Sequence, residues 1–147
     1  VDEKHVQFST EQMKIISRII EGNFPDYEND LPAGNTNIAE VNRESFFKGL
    51  KKVSSIIGRS EPVKITFAGD SMMIEAESDI GRAKEIIDIK YDGEPATMNF
   101  NVKFLLDLVT HLVTDQIIIA APKAYGAVLF HSKEVEGYKN IVMPIRI

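Results

Sequence analysis

The sequence contains no cysteine and no tryptophan. Without thiols, disulfides and thiolate metal sites are excluded; the compartment stays open, with a cytoplasmic location favoured. No apolar run approaches the ~20 residues of a membrane span, and the first residues lack a signal-peptide pattern. The chain begins with Val1 rather than Met, so it reads as a processed product or an excised piece. An excess of positive charge is also missing. Lys and Arg number 17 against 22 Asp and Glu, for a net charge of −5. A protein basic all over is thereby excluded, and any contact with a polyanion has to come from a local basic face. There is no Gly-rich phosphate loop and no G-x-S-x-G. His5, His111 and His131 are scattered, with no i, i+4 partner of metal-ligand type. Asp70, Glu75, Glu77 and Asp79 form an acidic run around a hairpin, read as a solvated turn rather than a metal cage. No enzyme active site and no cofactor or metal is expected.

What remains is an ordinary globular composition. With 147 residues, 44% apolar, the chain can bury one full core and carry a fragment of a second domain. His5–Ser9 alternates and residues 13–20 form a broken apolar run, with Thr10-Glu11-Gln12 as a hairpin turn between them. The stretch 21–35 holds Pro25, Pro32, Gly22, Gly34 and a cluster of Asn and Asp, and reads as a loop or linker.

Beyond the linker the sequence repeats itself. A strand over 36–41 leads to the N-cap Asn42 and a helix over 43–58, followed by strands at 63–67, 72–76 and 82–91. The same order recurs as a strand over 96–100, the cap Asn101, a helix over 102–113, and strands at 116–120, 126–131 and 140–147. Asn42 matches Asn101, Phe46 matches Leu105, Leu50 matches Val109 and Val53 matches Leu112, each 59 residues apart. The expected fold is α+β: an internally duplicated β-α-β-β-β with two helices packed on antiparallel sheets.

The outer faces of the helices differ. Phe46, Leu50, Val53 and Ile57 fall on one stripe of the first helix, with Lys48, Lys51, Lys52, Ser55 and Arg59 opposite and no acidic residue expected among them. Such a face is either a solvated surface or one suited to phosphates, which Lys and Arg neutralise without reading bases. Ile56 lies off the apolar stripe, as a half-exposed residue or the rim of an interface. The second helix is expected to bury Phe104, Leu105, Leu108, Val109 and Leu112 and to expose Lys103, Asp107, Thr110 and Thr114. The chain ends on Ile141-Val142-Met143-Pro144-Ile145-Arg146-Ile147, mostly apolar. Pro144 cannot donate to a ladder, so this strand lies at an edge or its pairing breaks there. The stretch is either a closing strand or a strand that also walls a docking groove.

Two stretches resemble a known family. Ser17-Arg18-Ile19-Ile20-Glu21-Gly22-Asn23-Phe24-Pro25-Asp26-Tyr27 with Leu31-Pro32 is similar to a segment of the bacterial sliding clamp, the beta subunit of DNA polymerase III. Phe100-Asn101-Val102 with Leu106-Asp107, and the ending Val142-Met143-Pro144-Ile145-Arg146-Ile147, resemble the third domain of that family. The resemblance implies a non-enzymatic DNA replication processivity factor, a head-to-tail homodimeric ring around duplex DNA that holds it without sequence specificity. By this resemblance residues 1–22 are closing strands of the middle domain, 23–33 an interdomain linker and 34–147 the third domain. It places Lys48, Lys51, Lys52, Arg59 and Lys103 toward DNA, and Ile56, Ile57 and Glu85 at the subunit junction. It also implies a groove for short linear peptides of the replicative polymerase subunit, clamp loader and repair proteins. The matching groove positions are Pro25, Asn101, Phe104, Tyr125, Ala127, Ile141, Val142, Met143, Pro144, Ile145 and Arg146. Glu28-Asn29-Asp30 departs from the basic and apolar residues usual there, so no contact is expected from that stretch. The competing expectation is an α+β peptide- or ligand-binding module with no DNA role.

Overall fold

The computed structural model describes residues 3–23, 26, 31–32, 34–58, 61–135 and 137–146. The chain divides into two compact units, Val1–Asp30 and Leu31–Ile147. In the first, β1 (His5–Ser9) pairs antiparallel with β2 (Lys14–Arg18), from His5 opposite Arg18 to Ser9 opposite Lys14. Thr10 N–H donates to the Met13 carbonyl at 2.8 Å and closes the turn. Phe8, Met13, Ile15 and Ile16 are exposed, and a two-stranded ribbon by itself offers no second layer on which to bury them.

The second unit runs β3 (Asn37–Asn42), α1 (Arg43–Ser54), β4 (Pro62–Ala68), β5 (Ser71–Ser78), β6 (Gly81–Asp92), β7 (Ala96–Asn101), α2 (Val102–His111), β8 (Gln116–Ala121), β9 (Val128–His131) and β10 (Lys139–Val142). The strands form one sheet of eight, in the order β10-β9-β8-β3-β6-β5-β4-β7, with antiparallel neighbours throughout. This is the expected α+β duplication, and the topology gives it a pseudo-twofold form. β3 lies between β6 of its own half and β8 of the other. β7 pairs with β4 of the other half and, through an Asn99–Ile145 bridge, meets the tail that follows β10 of its own half. The helix starts obey the same relation. Arg43 N–H donates to the Asp115 carbonyl at 2.9 Å, and Val102 N–H donates to the Glu61 carbonyl at 3.4 Å.

Both caps form as the sequence suggests. The Asn42 side chain accepts from Ser45 N–H at 3.0 Å and that of Asn101 from Lys103 N–H at 2.9 Å, satisfying donors the helices leave free. Phe46, Leu50 and Val53 of α1 are buried, as are Leu105, Val109 and Leu112 at the matched positions. Burying each such side chain stabilises the fold by about 1.5–3 kcal/mol, so these two stripes anchor the helices to the sheet. Gly49 permits the close approach of α1, since a Cβ there would lie 2.8 Å from Ile87 Cδ1.

Several boundaries depart from expectation. α1 ends at Ser54, four residues short of Gly58, because Ser54 and Ser55 hydroxyls donate to the Lys51 and Lys52 carbonyls at 3.1 and 2.7 Å. α2 ends at His111, and Leu112 turns to an extended conformation that keeps its side chain in the core. Thr114, expected on the outer face of α2, lies beyond the helix and is buried, donating to the Gln116 carbonyl and accepting from the Ser132 hydroxyl at 2.8 Å. Phe104, expected in the core, is 55% exposed; Val102, Leu105, Leu108 and Val109 fill the arc of α2 that meets the sheet. The last strand stops at Val142, and among the described residues of the tail Ile145 alone regains a ladder contact, its N–H donating to the Asn99 carbonyl at 2.7 Å.

The turn after β6 depends on a close backbone approach. A Cβ on Gly93 would lie 2.9 Å from Asn37 Cα and 2.7 Å from its Oδ1. Buried Asn37 donates to the Pro122 carbonyl and accepts from Glu94 N–H, each at 3.4 Å, so it links the ends of β6 and β8 across β3. Gly93→Ala is therefore expected to cost about 1–3 kcal/mol through overpacking against this backbone. Urea denaturation should show a lower midpoint with an unchanged slope; an unchanged midpoint would mean the turn gives way freely.

Candidate functional site

Two surfaces carry the candidate residues. The first is the outer face of α1. Lys48, Lys51 and Lys52 all project from it into solvent, opposite Phe46, Leu50 and Val53. Lys51 Nζ lies 5.9 Å from the Phe47 ring centroid, at the outer limit of a cation–π contact. The face is not free of acid, contrary to expectation. Glu44 sits one turn before Lys48 and pairs with it at 2.6 Å, and Glu85 from β6 reaches Lys52 at 2.6 Å. The hydrogen bond and charge of Lys48 hold the Glu44 carboxyl below the usual carboxylate range. The Glu44 contact was legible from the i, i+4 spacing; the Glu85 contact, 33 residues away, was not. Lys103 is exposed in the first turn of α2, and Arg59 lies outside the described residues.

The second surface is the C-terminal tail and the face of α2 beside it. Phe104, Asp107, Leu108 and His111 of α2 meet Tyr138, Asn140, Ile141 and Val142 around a groove of about 290 Å³. Of the groove candidates this brings together Phe104, Ile141 and Val142. The lining residues Asp107, His111 and Tyr138 were not singled out as groove residues; Asp107 and His111 follow Phe104 at i+3 and i+7 on one face of α2, a spacing that could have marked them, whereas no local spacing marks Tyr138. Past Val142, Met143 is 54% exposed, Pro144 is buried, and Ile145 and Arg146 are exposed. Tyr125, in the β8–β9 connection, donates its hydroxyl to the Pro144 carbonyl, and Arg146 stacks over its ring at 4.2 Å from the centroid. Asn101 serves as the α2 cap, and Ala127 accepts from Asn35 Nδ2 through its carbonyl at 3.0 Å. Pro25 and Glu28-Asn29-Asp30 lie outside the described residues.

The residues assigned to the subunit junction do not form one cluster. Ile56 and Ile57 follow α1 and are half-buried, Ile57 against the core. Ile56 lines a depression with Pro62, Glu77 and Ile80, and Ile80 is 80% exposed at the β5–β6 turn. Glu85 is not part of that depression and is held by Lys52.

Comparison with known proteins fits this geometry. The profile described as DNA polymerase III beta subunit, C-terminal domain, matches residues 29–146. The beta sliding clamp of Haemophilus influenzae is 29% identical over 133 residues, covering 89% of this chain and 36% of that protein. That of Caulobacter vibrioides is 27% identical over 149 residues, covering 100% of this chain and 40% of the relative. Among solved structures, the sliding clamp of Bartonella birtlesii bound to griselimycin has a TM-score of 0.90 at 27% identity, covering 100% of this chain and 40% of that one. The DNA polymerase III beta subunit of Thermotoga maritima has a TM-score of 0.87 at 28% identity, covering 100% of this chain and 41% of that one. The chain spans about two fifths of the length of the relatives it matches. With a match over 29–146 and the same fold, it belongs to the DNA polymerase III beta subunit family, where it corresponds to the C-terminal domain.

Proposed function

We propose that this chain is the C-terminal part of a ring-shaped sliding clamp, a processivity factor that encircles duplex DNA and tethers the replicative polymerase and other partners. The observation that carries the reading is the exposed row Lys48, Lys51 and Lys52 on α1 in a family member of net charge −5. A clamp that slides needs phosphate contacts without base contacts, and flexible lysines on a rigid helix supply them. No bond is made or broken by the clamp itself. It raises polymerase processivity by tethering, which converts dissociation into rapid intramolecular rebinding. In this reading residues 1–22 belong to the middle domain, 23–33 link it to the third domain at 34–147, and Met143 and Ile145 offer apolar contact to partner peptides. Short linear peptides of the polymerase, clamp loader and repair proteins are the proposed occupants, and the intact protein is a head-to-tail homodimer.

Replacing Lys48, Lys51 and Lys52 together by Ala in the full-length protein is expected to weaken DNA retention. It should reduce the slope of log affinity against log salt by up to about three per subunit, roughly one for each phosphate that a lysine no longer neutralises. The reverse change is expected from Glu44→Gln, which frees Lys48 from its carboxylate and strengthens retention at low salt. Salt slopes that stay the same in the triple variant would remove α1 from the DNA-facing wall.

The exposed Ile80 and half-buried Ile56 support a subunit contact at this end of the domain. Ile56→Asp in the full-length protein should shift sedimentation from dimer toward monomer at low micromolar concentration. Intact dimers at every concentration would make Ile56 an ordinary surface residue.

A further inference from the structure

We propose that the face of the sheet turned away from the helices carries a basic strip, formed by Lys90, His131, Lys133 and Lys139, that docks an acidic protein segment on the outside of the ring. Its location outside the ring rests on the reading of α1 as the DNA-facing wall; the chemistry of the strip does not.

The strip is set by register. Lys90 lies opposite Glu40, Glu40 opposite Ile118, Ile118 opposite His131 and His131 opposite Lys139. These side chains form one row across β6, β3, β8, β9 and β10, about 19 Å long at the usual spacing of strands. Successive side chains of a strand point to opposite faces. The neighbours Ala39, Val41, Ile117, Ile119 and Phe130 all join the core beneath the helices, so the row looks the other way. Lys133, just past β9, reaches back over the row, with its Nζ 3.2 Å from Glu40.

Glu40 is the one carboxylate in the row and it is shared, with Lys90 at 3.8 Å on its other side. Among the described residues Lys139 pairs with no carboxylate. Glu134, beside Lys133, turns its carboxylate to the Thr114 hydroxyl at 2.9 Å, and Glu136 lies outside the described residues. The strip thus keeps unneutralised positive charge in a chain of net −5. At its β9–β10 end His131, Lys133 and Lys139 enclose, with Val135 and Tyr138, a hollow of about 370 Å³. Val135 and Tyr138 are each 38% exposed. Cations around a half-exposed apolar floor suit a segment whose carboxylates flank one large apolar side chain. Duplex DNA suits the strip less. Glu40 sits within the row, where a continuous line of phosphates would meet it, whereas spaced carboxylates fall to either side.

The test uses the full-length protein and a synthetic peptide with aspartates on both sides of one tyrosine, acetylated and amidated so that only side chains carry charge. Its counterpart has Asn in place of every Asp, and binding is read by fluorescence anisotropy. The Asp peptide should bind about three- to tenfold tighter at low salt, and the ratio should fall toward one in about 0.5 M salt. Lys139→Glu should bring the low-salt ratio to about one. Glu40→Gln, which releases Lys90 and Lys133, should raise it about twofold. Lys123→Glu makes the same change in net charge as Lys139→Glu, on the β8–β9 connection, and should leave the ratio as it is. A ratio of one in the unmodified protein overturns the proposal. So does a ratio that Lys139→Glu leaves unchanged, or one that Lys123→Glu lowers as far, since the preference then follows net charge. Loss of the preference in Arg146→Gln would assign it to the tail, and displacement of the Asp peptide by a duplex oligonucleotide would assign the strip to nucleic acid; each overturns the proposal too. None of these outcomes touches the salt slope of the α1 variants, on which the DNA reading stands.

Discussion

Phe46, Leu50 and Val53 of α1 pack on the sheet beside Leu105, Val109 and Leu112 of the second half, and all six are within 1% of complete burial. This double seam sets the direction of everything outside it. Once one stripe of α1 faces the sheet, the residues half a turn away must face solvent, which is where Lys48, Lys51 and Lys52 lie. Gly49 lets the helix sit close to Ile87 and Ile74, and that approach brings Lys52 within reach of Glu85 on β6. Core packing thus also decides that Lys52 carries a counter-charge, whereas Lys48 takes its own from the helix.

The duplication is not symmetric at its ends, and the asymmetry produces the second surface. In the first half β3 pairs with β6 over a run of residues, Ile38 to Val41 against Ile89 to Asp92. In the second half the equivalent pairing is the Asn99–Ile145 bridge. Pro144 interrupts the ladder because it has no N–H to donate. Met143 and Ile145 are consequently left open to water, while Tyr125 and Asn99 hold the tail by its carbonyl at 144 and its amide at 145. A closing strand and an exposed apolar strip are two sides of one segment here.

Charge is managed locally on both faces of the domain. Glu40 on the sheet accepts from Lys133 at 3.2 Å and lies 3.8 Å from Lys90, and these cations hold its carboxyl below the usual range. Such exposed pairs contribute little to stability. Their larger effect is on the field, since each glutamate that neutralises a lysine reduces what remains for a polyanion. Glu44 beside Lys48 moderates the lysine-rich face of α1 and so limits the field it presents to a polyanion.

Much of the fold was legible because its determinants are local. The 3.6-residue stripes and the caps Asn42 and Asn101 act over a few residues, and the matched spacing of 59 carried the duplication. The i, i+4 pair Glu44–Lys48 belongs to the same class, although the helical wheel drew attention to the lysines and not to their acidic neighbour. Helix ends were less legible, because at Ser54 and Ser55 a side-chain hydroxyl competes for the carbonyls that another turn would have used. Phe104 shows the limit of a hydrophobic pattern. It borders the apolar stripe, and only the width of the arc that α2 presents to the sheet decides that Leu105 and Leu108 go in and Phe104 stays out. The pairing of β3 with β8, the reach of Glu85 to Lys52 and the Tyr125–Pro144–Arg146 clasp join residues far apart in the chain. Sequence periodicity determined which face of each helix is apolar; the closure of the sheet decided which distant groups that face would bring together, because such contacts depend on three-dimensional register and leave no local spacing to read.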